Sequence, residues 1–331
     1  MRVVITGGAG FLGSRLARKI LERGTLAGAD GAQQMVRELV LFDMAPAAGF
    51  SDPRVKVVTG DVADAATVRA LIGDNTQSVF HLAAIVSGQA EAEFDLGMRI
   101  NFDATRHLLE AMRALPAPGR LVFSSSLAVF GAAGPDDVPD PVRDDTALTP
   151  LSSYGAEKAM GELLVNDYSR KGFVDGRALR LPTVTVRPGK PNAAASSFAS
   201  GIIREPLNGV EGIVPVGPDT KMWILSPRSV IESILIGHEV DAKAFGSFRA
   251  VSVPGMQVRV GDMADALRRV AGPEVAARVK WQYEPRIDRI VCTWPSNFDT
   301  KKGLAMGMKP DTNFDDIIRA YIADEKPATP A

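Results

Sequence analysis

The chain has 331 residues, its 38 Lys and Arg nearly balanced by 39 Asp and Glu for a net charge of -1. That balance excludes a general polyanion-binding surface, so no nucleic-acid partner is expected, although a local basic pocket is compatible with it. One cysteine, Cys292, allows no intrachain disulfide, and three scattered histidines, His81, His107 and His238, form no ligand cluster, so no metal is expected.

In chain order, residues 3–5 read as a strand entered directly, without a leader-like segment. Residues 11–23 carry Leu12, Leu16, Ile20 and Leu21 on one helical face, with Gly24 placed to close the helix. Residues 24–37 are longer than a tight helix–strand connection needs and read as an insertion. Strands follow at 39–42, 55–58, 78–81 and 121–123, with helical patterns at 65–72 and about 93–115. This alternation predicts an α/β fold, a doubly wound parallel sheet of Rossmann type with helices on both faces.

Residues 131–150 are dense in Pro, Gly and Asp and read as loop. A helix over 152–170 and a strand over 177–187 resume the rhythm. Beyond 188 the pattern loosens into short helices and Pro-containing turns. The expected division is a dinucleotide-binding domain over 1–187, with return segments at about 222–252, and a smaller, interleaved substrate lobe over 188–331. Residues 326–331 read as a frayed tail. No apolar run is long enough for a bilayer, so a soluble, cytoplasmic protein with no membrane partner is expected.

The stretch TGGAGFLG follows the first strand and opens the first helix. Gly7 permits the tight turn, Gly10 lets backbone approach a pyrophosphate, and Gly13 lets helix pack on strand. The N–H groups of Phe11, Leu12 and Gly13 at the positive helix end then meet phosphate charge. The plain alternative is a Gly-rich turn with no ligand, and the strand–turn–helix context argues against it. Asp43 ends the second strand, where an acid accepts hydrogen bonds from ribose hydroxyls and repels a 2′-phosphate. With Met44 and Ala45 beside it and no Arg, NAD is favoured over NADP. Asp61 and Val62 stand where adenine rests, and Leu82, Ala83 and Ala84 leave room for a cofactor against the backbone. Asn101, in the next helix, is either structural or holds the loop near Ser126, and counts with the cofactor-binding set. His81, among apolar neighbours, reads as a packed histidine.

Tyr154 and Lys158 stand four apart in a helix, one turn apart on one face. A phenol of ordinary pKa, about 10, is a poor base at neutral pH; a nearby ammonium favours the phenolate, and the positive ring of an oxidised nicotinamide adds to that. Tyr154 then takes a proton from a substrate hydroxyl while hydride leaves the same carbon, and Lys158 also binds the nicotinamide ribose. Such a pair is common on solvated faces; the serine run at 124–126, at the carboxyl end of a strand, raises its standing, since ligands bind at that edge. Ser124 joins the cofactor set. Past the edge of the next strand, Arg187, Lys190, Asn192, Ser196 and Ser197 supply a compact polar pocket with a cation. Arg180 reads as structural.

Together the TGGAGFLG loop, Asp43, Asp61, HLAA, Asn101, SSS and Y-x-x-x-K resemble the extended short-chain dehydrogenases/reductases, in their epimerase/dehydratase branch, over about residues 1–190. The resemblance implies NAD as cofactor, Ser126, Tyr154 and Lys158 as the catalytic set, Pro182 among the cofactor contacts, and the possibility of a homodimer through helix faces. Leu127 and Ala128 stand where dehydratases of that branch carry Asp-Glu, which argues against dehydration. The Asn usual after the next strand is replaced by Thr183, which puts a nucleotide-sugar site in doubt. The stretch 179–209 is similar to a narrower family, the D-erythronate dehydrogenases. That similarity implies oxidation of the C2 hydroxyl of a small sugar acid, bound by Ser126, Tyr154, Arg187, Asn192 and Ser197. An NAD-dependent nucleotide-sugar epimerase is the alternative enzyme reading, and a non-catalytic NAD-binding regulator the third.

Overall fold

In a computed structural model, which describes residues 1–133, 137–191 and 194–325, the apolar runs of the first half are parallel strands. They are β1 (Arg2–Thr6), β2 (Glu38–Asp43), β3 (Val55–Thr59), β4 (Thr76–His81), β5 (Arg120–Ser126) and β6 (Asp175–Leu181), joined by β7 (Ala250–Ser252) from the second half. Their order is β3-β2-β1-β4-β5-β6-β7, with every neighbouring pair parallel. Both faces of such a sheet are covered, so its inner strands are continuous apolar runs rather than alternating ones. Val3, Ile5, Leu39 and Leu41 pack on one face with Leu16 and Ile20 of α1 (Phe11–Arg23). Val4 and Val40 pack on the other with Val68 of α2 (Ala65–Leu71) and Leu108 of α3 (Ala104–Arg113). Each such side chain, fully removed from water, stabilises the fold by roughly 1.5–3 kcal/mol.

Three expectations are refined. The 24–37 insertion is a hairpin, with Thr25–Ala27 antiparallel to Gln33–Met35. Residues 93–115 are not one helix, because a π-helical turn, Met98–Asp103, separates Phe94–Gly97 from α3. The strand expected over 177–187 stops at Leu181, where Pro182 has no N–H to continue the ladder. Thr183–Val184 pairs instead with Lys221–Leu225, in a separate sheet that includes Met256–Arg259. Helix α4 (Ser153–Arg170) forms as expected, with Ser152 Oγ accepting from Gly155 N at 3.2 Å.

The second half builds α5 (Phe198–Leu207), α6 (Pro227–Glu239), α7 (Val260–Ala271) and α8 (Phe314–Glu325). Ile202, Ile203, Met263, Leu267, Ile317 and Ile318 form one apolar cluster from α5, α7 and α8. Helix α6 instead returns to the sheet, its Val230 and Ile234 sharing a cluster with Val3 and Ile5. Among the described residues no helix is long and apolar enough to cross a membrane. The chain runs outward from β1 to β3, then restarts on the other side of β1 at β4. That reversal opens a crevice at the carboxyl ends of β1 and β4, the place where open α/β sheets bind ligands.

Candidate active site

The crevice is a cavity of about 730 Å³. Its floor is the turn after β1. Gly7 has φ of 73°, and a Cβ there would lie 2.8 Å from the backbone N of Ala83, at the end of β4. A Cβ at Gly13 would fall 2.1 Å from the Gly7 carbonyl oxygen, so only glycine lets α1 start this close to the strand. Helix α1 has no side-chain cap and no acid in its first turn. The helix end is therefore ready for an anion, and a pyrophosphate fits it.

Asp43 lines the cavity with its carboxylate already on the turn: Oδ2 accepts from Ala9 N at 3.1 Å and Oδ1 from Met44 N at 2.7 Å. A carboxylate has lone pairs beyond those two, which suits ribose hydroxyls. Asp61 accepts from Ala63 N at 2.8 Å and pairs with Arg99 at 2.5 Å; the Ala63 N–H first, then the Arg99 guanidinium, holds its carboxyl below the usual range. Phe11, Leu12, Val62, Leu82, Ala83, Ala84, Ser124 and Pro182 line the same cavity, as do Gly10 and Gly13. Asn101 does not. It is 1% exposed, its Oδ1 accepts from Ile85 N at 2.9 Å, and its Nδ2 donates to Glu157 at 2.6 Å. Its placement among cofactor contacts is corrected: it stands behind the wall and holds the loop after β4. His81 is also structural, between Thr6 Oγ1 at 2.7 Å and Thr105 Oγ1 at 3.1 Å; burial pushes its pKa down to about 3.

Tyr154 and Lys158 are aimed into the cavity by the seating of α4. A Cβ at Gly155 would fall 2.1 Å from the Ala128 carbonyl oxygen, so the helix abuts the turn that follows Ser126. On its far side, Glu162 and Arg180, both fully buried, pair at 2.8 Å, and Ser125 donates to Glu162 at 2.5 Å. These bonds tie α4 to β5 and β6, the structural role expected of Arg180. Ser126 Oγ accepts from Ala128 N at 3.1 Å and hydrogen-bonds Tyr154. The Lys158 ammonium lies 5.7 Å from the centre of the Tyr154 ring and 4.8 Å from that of Phe123.

The electrostatics differ from expectation. Burial pushes Tyr154 up to about 12; the Ser126 hydrogen bond and then the Arg187 charge oppose it, and Glu157 adds to it. Burial also pushes Lys158 down to about 8, opposed by Glu157. The expected lowering of the phenol by Lys158 is thus not the governing effect in the protein by itself: desolvation outweighs it, and the cation facing the phenol is Arg187. Arg187 is half-buried and lines the cavity, and no carboxylate pairs with it among the described residues; burial, then Arg204, disfavours its charge. Ser197 lines the cavity too, with Lys190 and Ser196. Asn192 lies outside the described residues.

Sequence reasoning missed Arg99, Arg204, Trp223 and Trp294, all on the cavity wall. Arg204 donates to the Arg187 carbonyl at 2.9 Å and is clamped by Glu205 at 2.6 Å. These residues come from elements far apart in the chain, and no spacing links them to the motifs.

A parallel sheet in this strand order, with a glycine turn at its crevice and a Ser/Tyr/Lys group beside it, defines a dinucleotide-binding α/β protein. Residues 3–223 match the NAD dependent epimerase/dehydratase family, and the chain belongs to that family. It is 55% identical to a D-erythronate dehydrogenase of Cupriavidus necator, the match covering 98% of each chain. A D-erythronate dehydrogenase of Haemophilus influenzae is 42% identical, over 97% of this chain and 99% of that one. A crystal structure of a nucleoside-diphosphate-sugar epimerase from Agrobacterium tumefaciens has a TM-score of 0.90 at 39% identity, covering 98% of this chain and 94% of that one.

Proposed function

We propose that this protein oxidises the C2 hydroxyl of a small sugar acid with NAD, D-erythronate to 2-dehydro-D-erythronate. Two nearly full-length relatives bearing the name D-erythronate dehydrogenase support the substrate. The observation that carries the reading is Arg187, a half-buried cation with no acidic partner among the described residues, facing the phenol of Tyr154. A planar guanidinium beside the acid–base group suits a substrate carboxylate next to the reacting carbon. Arg204, through the Arg187 carbonyl, braces the segment that bears it.

The turn at Gly7–Gly13 and the α1 end hold the pyrophosphate, Asp43 the adenosine ribose, and Lys158 the nicotinamide ribose. When bound, NAD would supply the hydride acceptor and the positive charge of its oxidised ring. Ser126 holds the substrate hydroxyl, and Tyr154 receives its proton as the C2 carbonyl forms. Arg187 and the Ser126 hydrogen bond favour the phenolate that this transfer needs. Ser197 completes the substrate pocket. Residues 1–187, with the return at 222–252, serve the cofactor, and the remainder of 188–331 serves the substrate.

The charge balance and single cysteine support a cytoplasmic protein without a nucleic-acid partner. Phe94 and Leu163, 60% and 55% exposed on adjacent helices, support a homodimer through that face. The neighbour named as a nucleoside-diphosphate-sugar epimerase keeps a second reading in play, NAD-dependent epimerisation of a nucleotide sugar.

Arg187→Met tests the assignment. A charged hydrogen bond contributes about 1.5–3 kcal/mol, so kcat/KM for D-erythronate falls roughly ten- to hundred-fold. The much lower kcat/KM for the uncharged polyol erythritol falls by a smaller factor, since erythritol loses only the charge that favours the Tyr154 phenolate and no bond of its own. Equal losses on both substrates would remove Arg187 as the carboxylate partner.

A further inference from the structure

The steps above leave one buried acid without a task. Glu157 sits on α4 between Tyr154 and Lys158 and is 1% exposed. Its Oε2 accepts from Asn101 Nδ2 at 2.6 Å, while its Oε1 has no hydrogen-bond partner among the described residues. Gly97 makes room for that oxygen, since a Cβ there would lie 2.3 Å from it. Asn101 in turn grips Ile85, accepting from its N at 2.9 Å and donating to its carbonyl at 3.2 Å. Ile85 lines the cavity. A continuous chain of contacts therefore runs from the cavity wall to a carboxyl packed behind the Tyr/Lys pair. Leaving a buried carboxylate oxygen unpaired is costly, and a natural structure that keeps one calls for a reason.

We infer that Glu157, held by Asn101, is a positioning residue that sets the charge state of the Tyr154–Lys158 pair. Charges in a dry site act on one another strongly. A carboxylate behind Lys158 keeps its ammonium charged against burial, and the same charge holds the Tyr154 phenol protonated until substrate and cofactor arrive. Burial, the largest effect, holds the Glu157 carboxyl above its ordinary range, although it is pulled two ways. Burial and Glu91, from the helix Ser87–Ala92, favour its neutral form; the Asn101 hydrogen bond and Lys158 favour the carboxylate. From β4, His81 faces Lys158 but is neutral near pH 7, and from the segment after β6, Arg187 faces Tyr154. Glu157 is thus the acid whose charge acts on both members of the pair.

The test is Glu157→Gln, which keeps an oxygen for Asn101 and deletes the charge. In the ligand-free protein, NMR of isotope-labelled lysine follows Lys158, assigned by its loss in Lys158→Met. Its titration midpoint moves down by at least about half a pH unit when the carboxylate is gone. In the same variant both limbs of the pH profile of kcat/KM move to lower pH. A residue that only packs would lower melting temperature or turnover and leave both midpoints in place; unmoved midpoints in a folded Glu157→Gln overturn the inference. Should that variant fail to fold, Asn101→Leu removes the bond that favours the carboxylate and moves the Lys158 midpoint in the same direction, or overturns the inference by leaving it unmoved. The inference rests on reading Tyr154 as the base, but the lysine titration needs no substrate. A moved midpoint without sugar-acid oxidation would sink the proposed function alone, and oxidation with an unmoved midpoint would sink the coupling alone.

Discussion

A tyrosine at about 12 is a reluctant base, and at Tyr154 the cause is its burial. The same burial makes the residue useful, because a proton-accepting group in a dry cavity acts on substrate without competition from water. Tyr154→Phe removes the proton acceptor and leaves the glycine turn, Asp43 and Lys158 in place. Turnover of D-erythronate should fall by at least about 10²-fold, the usual worth of a positioned acid–base group, while NAD affinity measured by calorimetry stays within a few-fold. Near-normal turnover would remove Tyr154 from the mechanism. At this scale the sequence was informative about identity and less so about environment. The spacing of Tyr154 and Lys158 places them on one face, but it carries no information on desolvation. Burial is set by tertiary neighbours distant in the chain, as Phe123 is for Lys158, so the sign of the phenol's shift was not legible. Asn101 shows the same limit: a polar residue after HLAA reads equally as a ligand contact or as a brace, and only its bonds to Ile85 and Glu157 decide.

The element that best joins sequence to site is the strand–turn–helix at residues 2–23. It is legible because its parts are contiguous: an apolar run, glycines at a spacing of three and an amphipathic helix, each local. Gly13 carries its tightest contact, with no space between α1 and the Gly7 carbonyl for a methyl group. In Gly13→Ala either the helix start moves away or the turn opens. The expected outcome is a loss of roughly 1–3 kcal/mol in unfolding free energy by urea titration, and a larger fractional loss of NAD affinity than of far-ultraviolet helicity. Unchanged NAD affinity would mean that the turn does not hold the cofactor. The second half was far less legible. Its cluster draws on α5, α7 and α8, separated by long stretches of turn, and Thr183–Val184 leaves the first sheet for another only because Pro182 interrupts β6. Such pairings depend on tertiary partners that no local pattern announces, and Trp223 reaches the cavity on the strand that pairs with Thr183–Val184.

Across the whole molecule, the buried histidines tie stability to pH. Burial lowers His81 to about 3 and His238 to about 4, from an ordinary 6.5. In the unfolded chain both bind protons near pH 6.5, whereas in the folded chain both resist until much lower pH. Their contribution is therefore fully present above pH 6.5 and is lost as pH falls from there toward 4, by up to about 1.4 kcal/mol per pH unit and group. The urea midpoint should decline steadily over that window; a flat midpoint would mean that the two rings are not dry. On the proposed function, this fold oxidises a small free acid and releases reduced cofactor. A dehydrogenase makes one NADH per substrate oxidised, while an epimerase returns the hydride to the same carbon skeleton and shows no net NADH. The most direct measurement is NADH formed by the purified protein with excess NAD and a limiting amount of D-erythronate, the keto product being trapped, beside UDP-sugars under the same conditions. The expected result is one NADH per D-erythronate and none with UDP-sugars. Interconversion of UDP-sugars without NADH, together with no reaction on D-erythronate, would contradict it.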